Sequence, residues 1–282
     1  MNTGFEPRIP AEGPAAAALA AWDIVQRARL DTRPQALDYI GALFDSFTAL
    51  EGDRCTGTDS AVVGGIGFLG GRPVTVLGQQ KGATLDEKIA RNFGMPHPRG
   101  FRKAMRLMRQ AEKFRRPVIC FVDTPGAYPG REAEQRGQAA VIAESLYLLS
   151  NLRTPVVSVV IGEGGSGGAL ALALCDHLIM MENSFFSVIS PEGCAAILWK
   201  DAARARDAAE SLKLTARDLC AAGFADEIVP EPDPFTAAEA GPVFADLKKR
   251  LITRIGALSA TDSGELVEAR QRKYMKMGGS RE

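Results

Sequence analysis

Residues 156–169 run Val-Val-Ser-Val-Val-Ile-Gly-Glu-Gly-Gly-Ser-Gly-Gly-Ala, and no other stretch narrows the choice of fold as far. A buried-type strand passes through a loop nearly free of side chains into an apolar helix start. Continuous apolar runs of this kind belong to strands covered on both faces, as in parallel sheets served by crossover helices. The theme recurs. Strand 118–122 leads into Thr124-Pro125-Gly126-Ala127-Tyr128-Pro129-Gly130 and a helix over about 134–149. Strand 178–181 precedes Ser190-Pro191-Glu192, a helix start with a capping serine and proline at the first position. Apolar strands alternating with helices predict an α/β fold with a parallel sheet, in which ligands sit beyond the carboxyl ends of strands, where both glycine loops lie.

The remaining segments fit around this centre. Residues 1–20 read as a flexible leader and 21–282 as the folded domain. Leu37, Ile40, Leu43, Phe44 and Phe47 give residues 31–50 helical spacing, ending near Gly52. Strands at 61–68 and 73–77 are joined by Leu69-Gly70-Gly71-Arg72, a hairpin signal. Residues 79–99 are polar, basic and punctuated by glycine and proline, which predicts a loop with one helical turn. Phe101, Ala104, Met105, Met108, Ala111 and Phe114 then line one face of an amphipathic helix. Residues 234–277 read as helices with a charged outer face.

Glycines after a buried strand admit several readings. They can simply serve tight packing, though two such loops at equivalent strand ends argue against that alone. Gly162-x-Gly164-x-x-Gly167 has dinucleotide-loop spacing, with Glu182 placed to bind a ribose. Glu163 counters it with a negative charge inside the proposed pyrophosphate cradle. Gly164-Gly165-Ser166-Gly167-Gly168 satisfies a serine-hydrolase elbow. Of the two histidines that would serve it, His177 lies a helix length away, ~15 Å, and His97 sits in the polar loop. The fourth reading is a backbone anion site, with the Gly167 and Gly168 amides aimed at developing negative charge at a helix start.

The totals limit the alternatives. Formal net charge is +0, so no global field draws nucleic acid or an anionic membrane. The five cysteines, Cys55, Cys120, Cys175, Cys194 and Cys220, have no CxxC spacing and read as small buried hydrophobes in a reducing compartment. No metal site is expected. Without a secretory signal or a membrane-length apolar run, the expected location is the cytoplasm.

Several motifs occur together and in order: Gln80-Lys81-Gly82, Arg91-Asn92-Phe93-Gly94-Met95-Pro96, residues 121–130, residues 162–169, and Val188-Ile189-Ser190-Pro191-Glu192-Gly193-Cys194. Over residues 22–277 this set closely resembles the alpha subunits of bacterial acetyl-coenzyme A carboxylase carboxyltransferase, in the crotonase superfamily. The resemblance implies a crotonase-like superhelix of ββα units with N- and C-terminal helices. It implies transfer of carboxylate from carboxybiotin, held on a separate biotin carboxyl carrier protein, to acetyl-CoA. The product would be malonyl-CoA for fatty acid biosynthesis, and the complete carboxylase would also bind ATP through its biotin carboxylase. The family's catalytic dipeptide falls on Gly167 and Gly168. Gly164, Gly165, Ser166, Gly126, Ala127, Tyr128 and Lys81 are the implied substrate-binding residues. A zinc-ribbon beta subunit is the implied partner, in an alpha2beta2 assembly. NAD-dependent oxidoreduction and a non-catalytic scaffold remain the alternatives. Two departures stand out: the family often carries a longer helical N-terminal extension than the segment before Trp22, and Gln79 stands where it commonly has histidine. Lys81, Arg91, Arg99 and Lys103 are either a solvated basic loop or contacts for coenzyme A phosphates or the carrier. Gly168→Val is expected to abolish turnover while leaving folding largely intact.

Overall fold

The computed structural model of the protein describes residues 19–277, so the leader expected at 1–20 lies almost wholly outside the described residues. Helix α1 (Ala21–Ala28) buries Ile24 and Val25. Helix α2 (Ala36–Leu43) begins where the Gln35 amide donates to Asp38 Oδ2 at 2.8 Å. The helical spacing read over 31–50 holds only as far as Leu43. Ser46–Ala49 is strand β1, paired antiparallel with β2 (Val62–Leu69), so sheet-edge pairing overrides the local pattern. The turn into β3 (Arg72–Gln79) is the expected hairpin, with Gly70 at φ 57° and Gly71 at φ 77°, both positive as a two-residue turn of this hand requires.

Residues 79–99 are more ordered than a loop. Thr84 accepts a hydrogen bond from the Glu87 amide and opens α3 (Leu85–Ala90), a capping box written in the sequence as Thr-Leu-Asp-Glu. Pro98 starts α4 (Pro98–Lys113), which takes Arg99 and Lys103 out of the expected basic loop. Lys103 is buried, its Nζ donating to Glu51 Oε2 at 2.6 Å and to the Val62 carbonyl at 2.9 Å.

Then follow β4 (Val118–Thr124), α5 (Arg131–Gln135), α6 (Gln138–Asn151), β5 (Val156–Gly165), α7 (Ser166–Ala173), β6 (His177–Met181) and β7 (Phe185–Ser187). The remainder comprises α8 (Pro191–Trp199), α9 (Ala205–Leu212), α10 (Ala216–Ala221), β8 (Glu227–Val229), α11 (Gly241–Ser259) and α12 (Ser263–Met275). Ser190 caps α8 through the Gly193 amide with Pro191 in the first turn, as the sequence predicts.

The eight strands form one sheet in the order β1-β2-β3-β4-β5-β6-β8, with β7 pairing the far end of β5. From β3 onward every pairing is parallel. Alternate residues feed two cores. Val118, Cys120, Val122, Val156, Val160, Leu178 and Met180 pack with Leu107, Met108 and Leu172 on one face. Ile119, Phe121, Val157, Val159, Ile179 and Met181 pack with Ile40, Leu43, Leu247 and Leu251 on the other. This explains why β4, β5 and β6 carry no polar face. Four of the cysteines are buried as expected, but Cys55 is exposed because it lies in the turn that Asp53 organises before β2. Among the described residues, no helix is long and apolar enough to cross a membrane.

Helix α12 is held at the end of the sheet remote from the glycine loop. Arg270 is buried and donates through Nε and Nη2 to both oxygens of Asp176, each at 2.8 Å, and to the carbonyls of Leu152 at 2.8 Å and Thr154 at 3.0 Å. Burial holds the Asp176 carboxyl above its ordinary range even against Arg270. Removing the guanidinium leaves that carboxylate enclosed without its cation. Arg270→Ala is therefore expected to cost about 3–5 kcal/mol, lowering the melting temperature by roughly 10 °C, as a thermal unfolding scan would measure.

Candidate functional site

Strand β5 is buried over its whole length and ends in an elbow rather than a loop. Ser166 turns the chain at φ 52°, a left-handed conformation unusual for serine, and the next residues are already the first turn of α7. Gly165, the residue before that helix, supplies no side-chain cap. Helix starts leave amides unpaired and carry the positive end of the peptide dipoles. Ser166 is exposed and Gly167 half-buried, so these amides lie close to the surface.

The second glycine loop, after β4, lies directly against this elbow. A Cβ on Gly165 would stand 2.2 Å from the Pro125 carbonyl oxygen, and one on Gly168 would stand 2.3 Å from the Ala127 nitrogen. Backbone touches backbone, which only glycine permits. Gly126 is buried at φ 151°, and Thr124 Oγ1 both accepts from its amide at 3.1 Å and donates to its carbonyl at 2.7 Å. Tyr128 donates its amide to the Pro96 carbonyl at 3.0 Å, and its ring stacks on His97 with centroids 4.2 Å apart. Gly126, Ala127, Gly165 and Gly168 thus meet at one place, flanked by Ser166, Gly167 and Tyr128. Gly164 lies deeper, paired with Thr124 and packed on Phe186.

Behind the elbow sits a cluster of charges that sequence reasoning missed. Lys81 Nζ lies 2.7 Å from Asp123 Oδ1 and 2.8 Å from Glu163 Oε1. Arg29 Nε reaches Glu163 Oε2 at 2.7 Å, and its Nη1 reaches Glu192 Oε1 at 2.6 Å. Burial alone would lower the Lys81 ammonium, but Asp123 and Glu163 outweigh it and hold its pKa above the ordinary value. For Glu163, burial is outweighed by Lys81 and Arg29, which keep it ionised below the usual carboxylate range. Asp123 is the exception: burial raises it despite Lys81. Lys81 therefore faces the interior and two carboxylates rather than solvent. The readable signals were Asp123 and Glu192, which lie inside the motifs that carry the family resemblance; Arg29, at the end of α1, had none.

The dinucleotide reading, and His177 as a hydrolase base, do not find their parts. Gly162 is inside β5, where a Cβ would stand 2.5 Å from Asp123 Oδ1, so the dinucleotide spacing falls on a strand and not on an open phosphate loop. Glu182 pairs with Arg217 at 3.3 Å. His177 opens β6, buried beside Glu227 at 3.0 Å. Among the described residues, no group of His, Cys, Asp and Glu is arranged to hold a metal ion.

The sequence matches the family described as acetyl co-enzyme A carboxylase carboxyltransferase-like over residues 12–278. The chain belongs to that carboxyltransferase family. Carboxyl transfer to acetyl-CoA is the family function. Relatives include the acetyl-coenzyme A carboxylase carboxyl transferase subunit alpha of Listeria monocytogenes, 52% identical over 92% of this chain and 82% of that protein. The subunit of the same name from Clostridium acetobutylicum is 53% identical over 92% of this chain and 95% of that protein. Among solved structures, transcarboxylase 12S with methylmalonyl-coenzyme A bound superposes with a TM-score of 0.66 at 19% identity. The superposition covers 93% of this chain, which spans 46% of the transcarboxylase chain. A Pseudomonas malonate decarboxylase hetero-tetramer in complex with coenzyme A superposes at 0.63 and 17% identity, over 88% and 90%. These neighbours share the crotonase fold expected from the sequence.

The contacts of this carboxyltransferase elbow correct one expectation. Valine at position 168 cannot leave folding intact, because even its Cβ collides with the Gly126–Ala127 backbone. At Gly167 a Cβ meets only the Ile142 side chain, Cγ2 at 3.3 Å and Cδ1 at 3.7 Å. Gly168→Ala is expected to destabilise the protein by about 1–3 kcal/mol or more, and Gly167→Ala by less than about 1 kcal/mol, in urea unfolding of the two variants.

Proposed function

We propose that this chain is the alpha chain of the carboxyltransferase component of acetyl-CoA carboxylase, with Gly167 and Gly168 as its anion-holding residues. The observation that carries this reading is the uncapped start of α7, held by backbone contact with the loop after β4, in a member of this family. Carboxybiotin, when bound, supplies the carboxyl group, and its ureido oxygen gains negative charge on transfer. The half-buried, side-chain-free surface at Gly167 suits the approach of such an oxygen. The Gly167 and Gly168 amides then hold it without reorganising. One donor of this type is worth ~2.7–4 kcal/mol of barrier. Gly126, Ala127 and Tyr128 wall the cleft, and Ser166 sets the angle of the helix start. As the carboxyl group passes to the acetyl carbon, that carbon must give up a proton, and the ureido nitrogen of biotin that has lost the carboxyl group can take it. A side-chain acid–base pair from this chain is then not required, and the chain's contribution is position and field.

The remaining wall belongs to a partner. Val188, Ile197 and Leu198 flank and end α8 with relative exposures of 77%, 61% and 64%, and Leu85 and Ile89 on α3 are exposed at 66% and 58%. Exposed apolar groups of this kind suit burial against another subunit. We assign that role to a zinc-ribbon beta subunit, which would hold acetyl-CoA in an alpha2beta2 complex. The biotin carboxyl carrier protein and biotin carboxylase would complete the cytoplasmic enzyme.

Purified alone, this chain should not carboxylate free biotin from malonyl-CoA; mixed with its beta partner, it should. Coupled detection of acetyl-CoA release measures this. Stable assembly without turnover would favour a scaffold, and NAD(H) binding by the isolated chain would favour the oxidoreductase reading.

A further inference from the structure

We propose that Gln79 is a positioning residue of this site, tying the first turn of α7 to the irregular end of β4 through the two ends of one carboxamide. The proposal rests on the reading of Gly167 and Gly168 as the anion-holding amides.

Gln79 is the last residue of β3 and is fully buried. Parallel pairing between β3 and β4 ends at Gly78 and Phe121, and the β4–β5 register shifts between Val122 and Thr124. Asp123 sits in that irregularity, where the ladder no longer supplies partners. Side chains take the ladder's place. Asp123 Oδ1 accepts from the Glu163 amide at 2.9 Å, and Gln79 Oε1 accepts from the Asp123 amide at 3.2 Å. The other end of the same group, Gln79 Nε2, donates to the Gly168 carbonyl at 2.7 Å. The orientation is forced, since one neighbour is a donor and the other an acceptor.

One side chain therefore fastens both loops at the place where they touch. Gly168 has little room to move towards the loop after β4, since a Cβ at that position would already stand 2.3 Å from the Ala127 nitrogen and 2.5 Å from the Gly126 carbonyl carbon. It cannot move away without breaking the bond to Gln79. The amides at positions 167 and 168 inherit that position. The task needs a donor and an acceptor on one neutral group: methionine offers neither, glutamate would set acceptors against the Gly168 carbonyl, and neutral histidine offers one of each.

The test compares Gln79→Met, Gln79→Glu and Gln79→His in the full chain assembled with its beta partner. Gln79→Met is expected to lower kcat for carboxyl transfer about 10- to 100-fold, with KM for acetyl-CoA within about twofold of wild type, since alignment and not acceptor binding is lost. Gln79→His is expected to recover at least a tenth of the wild-type kcat. A second readout needs no substrate: in the full chain alone, amide hydrogen exchange over 166–173 should quicken in Gln79→Met while 177–181 keeps its protection, and Gln79→His should restore it. Wild-type kcat in Gln79→Met, or exchange that rises evenly across the sheet, would overturn the proposal. If Gln79→Met does not fold, Gln79→His must exceed Gln79→Glu at least tenfold in kcat, and equal values overturn it. Lack of turnover in the wild-type complex would sink the functional reading, and the exchange measurement would still decide the role of Gln79.

Discussion

The proposed site depends on a close approach between two stretches of main chain. Gly165 lies against Pro125, and Gly168 against Gly126 and Ala127, at distances that leave no room for a Cβ on either glycine. That contact exists because β4 and β5 are parallel neighbours that end at the same level, with Thr124 beside Gly164. The elbow at Ser166 follows: β5 is buried to its last residue, so the chain must turn abruptly to begin α7. A serine in a left-handed conformation costs on the order of 1–3 kcal/mol, and such strain persists only where the surroundings enforce it. Here the enforcing surroundings are the second loop on one side and the sheet on the other.

Charge plays its part behind this contact and not within it. Lys81 serves two carboxylates, and Arg29 connects one of them to Glu192 at the start of α8. The cluster joins the end of α1, the segment after β3, the ends of β4 and β5, and α8. Such networks contribute little net stability when whole and cost a great deal when one member is lost. Their value lies in holding several elements to one arrangement. Engaged with one another in this way, these side chains hold position, which agrees with the proposed role of the backbone amides.

Much of this was legible in the sequence because its local signals are strong. Nearly unbroken apolar runs at Val118–Val122 and Val156–Ile161 mark strands with two buried faces, and Gly70-Gly71 and Ser190-Pro191 mark a turn and a cap by their own chemistry. Failures came where a distant partner decides. Residues 46–49 form a strand because β2 is there to pair with them, and Lys103 is buried because Glu51 and the Val62 carbonyl receive its ammonium. The glycines divide in a way that residue type cannot reveal. Gly162, Gly164, Gly165 and Gly168 all serve close packing, whereas Gly167 has only the tip of Ile142 beside it and reaches the surface. Gln79 stood out in the sequence only as a departure from the family's usual histidine; its two partners could not be read until both loops were seen to converge on it.

An amide pair with one member half-buried at Gly167 and the other buried at Gly168 is a weak catalyst by itself. In water its field is screened about as strongly as any exposed dipole's, whereas in a water-poor cleft the same donors interact several times more strongly with a developing anion. This chain supplies donors fixed by strain, glycine packing and a partly buried ion network, but leaves Ser166 exposed and Gly167 half-covered. The missing ingredient is the exclusion of water, and an apolar cover would provide it. On the proposed reading, a second subunit does so by closing over the elbow and its exposed apolar flanks. Rigidity and dehydration then come from different polypeptides, and the geometry of α7 gains catalytic value only when both are present.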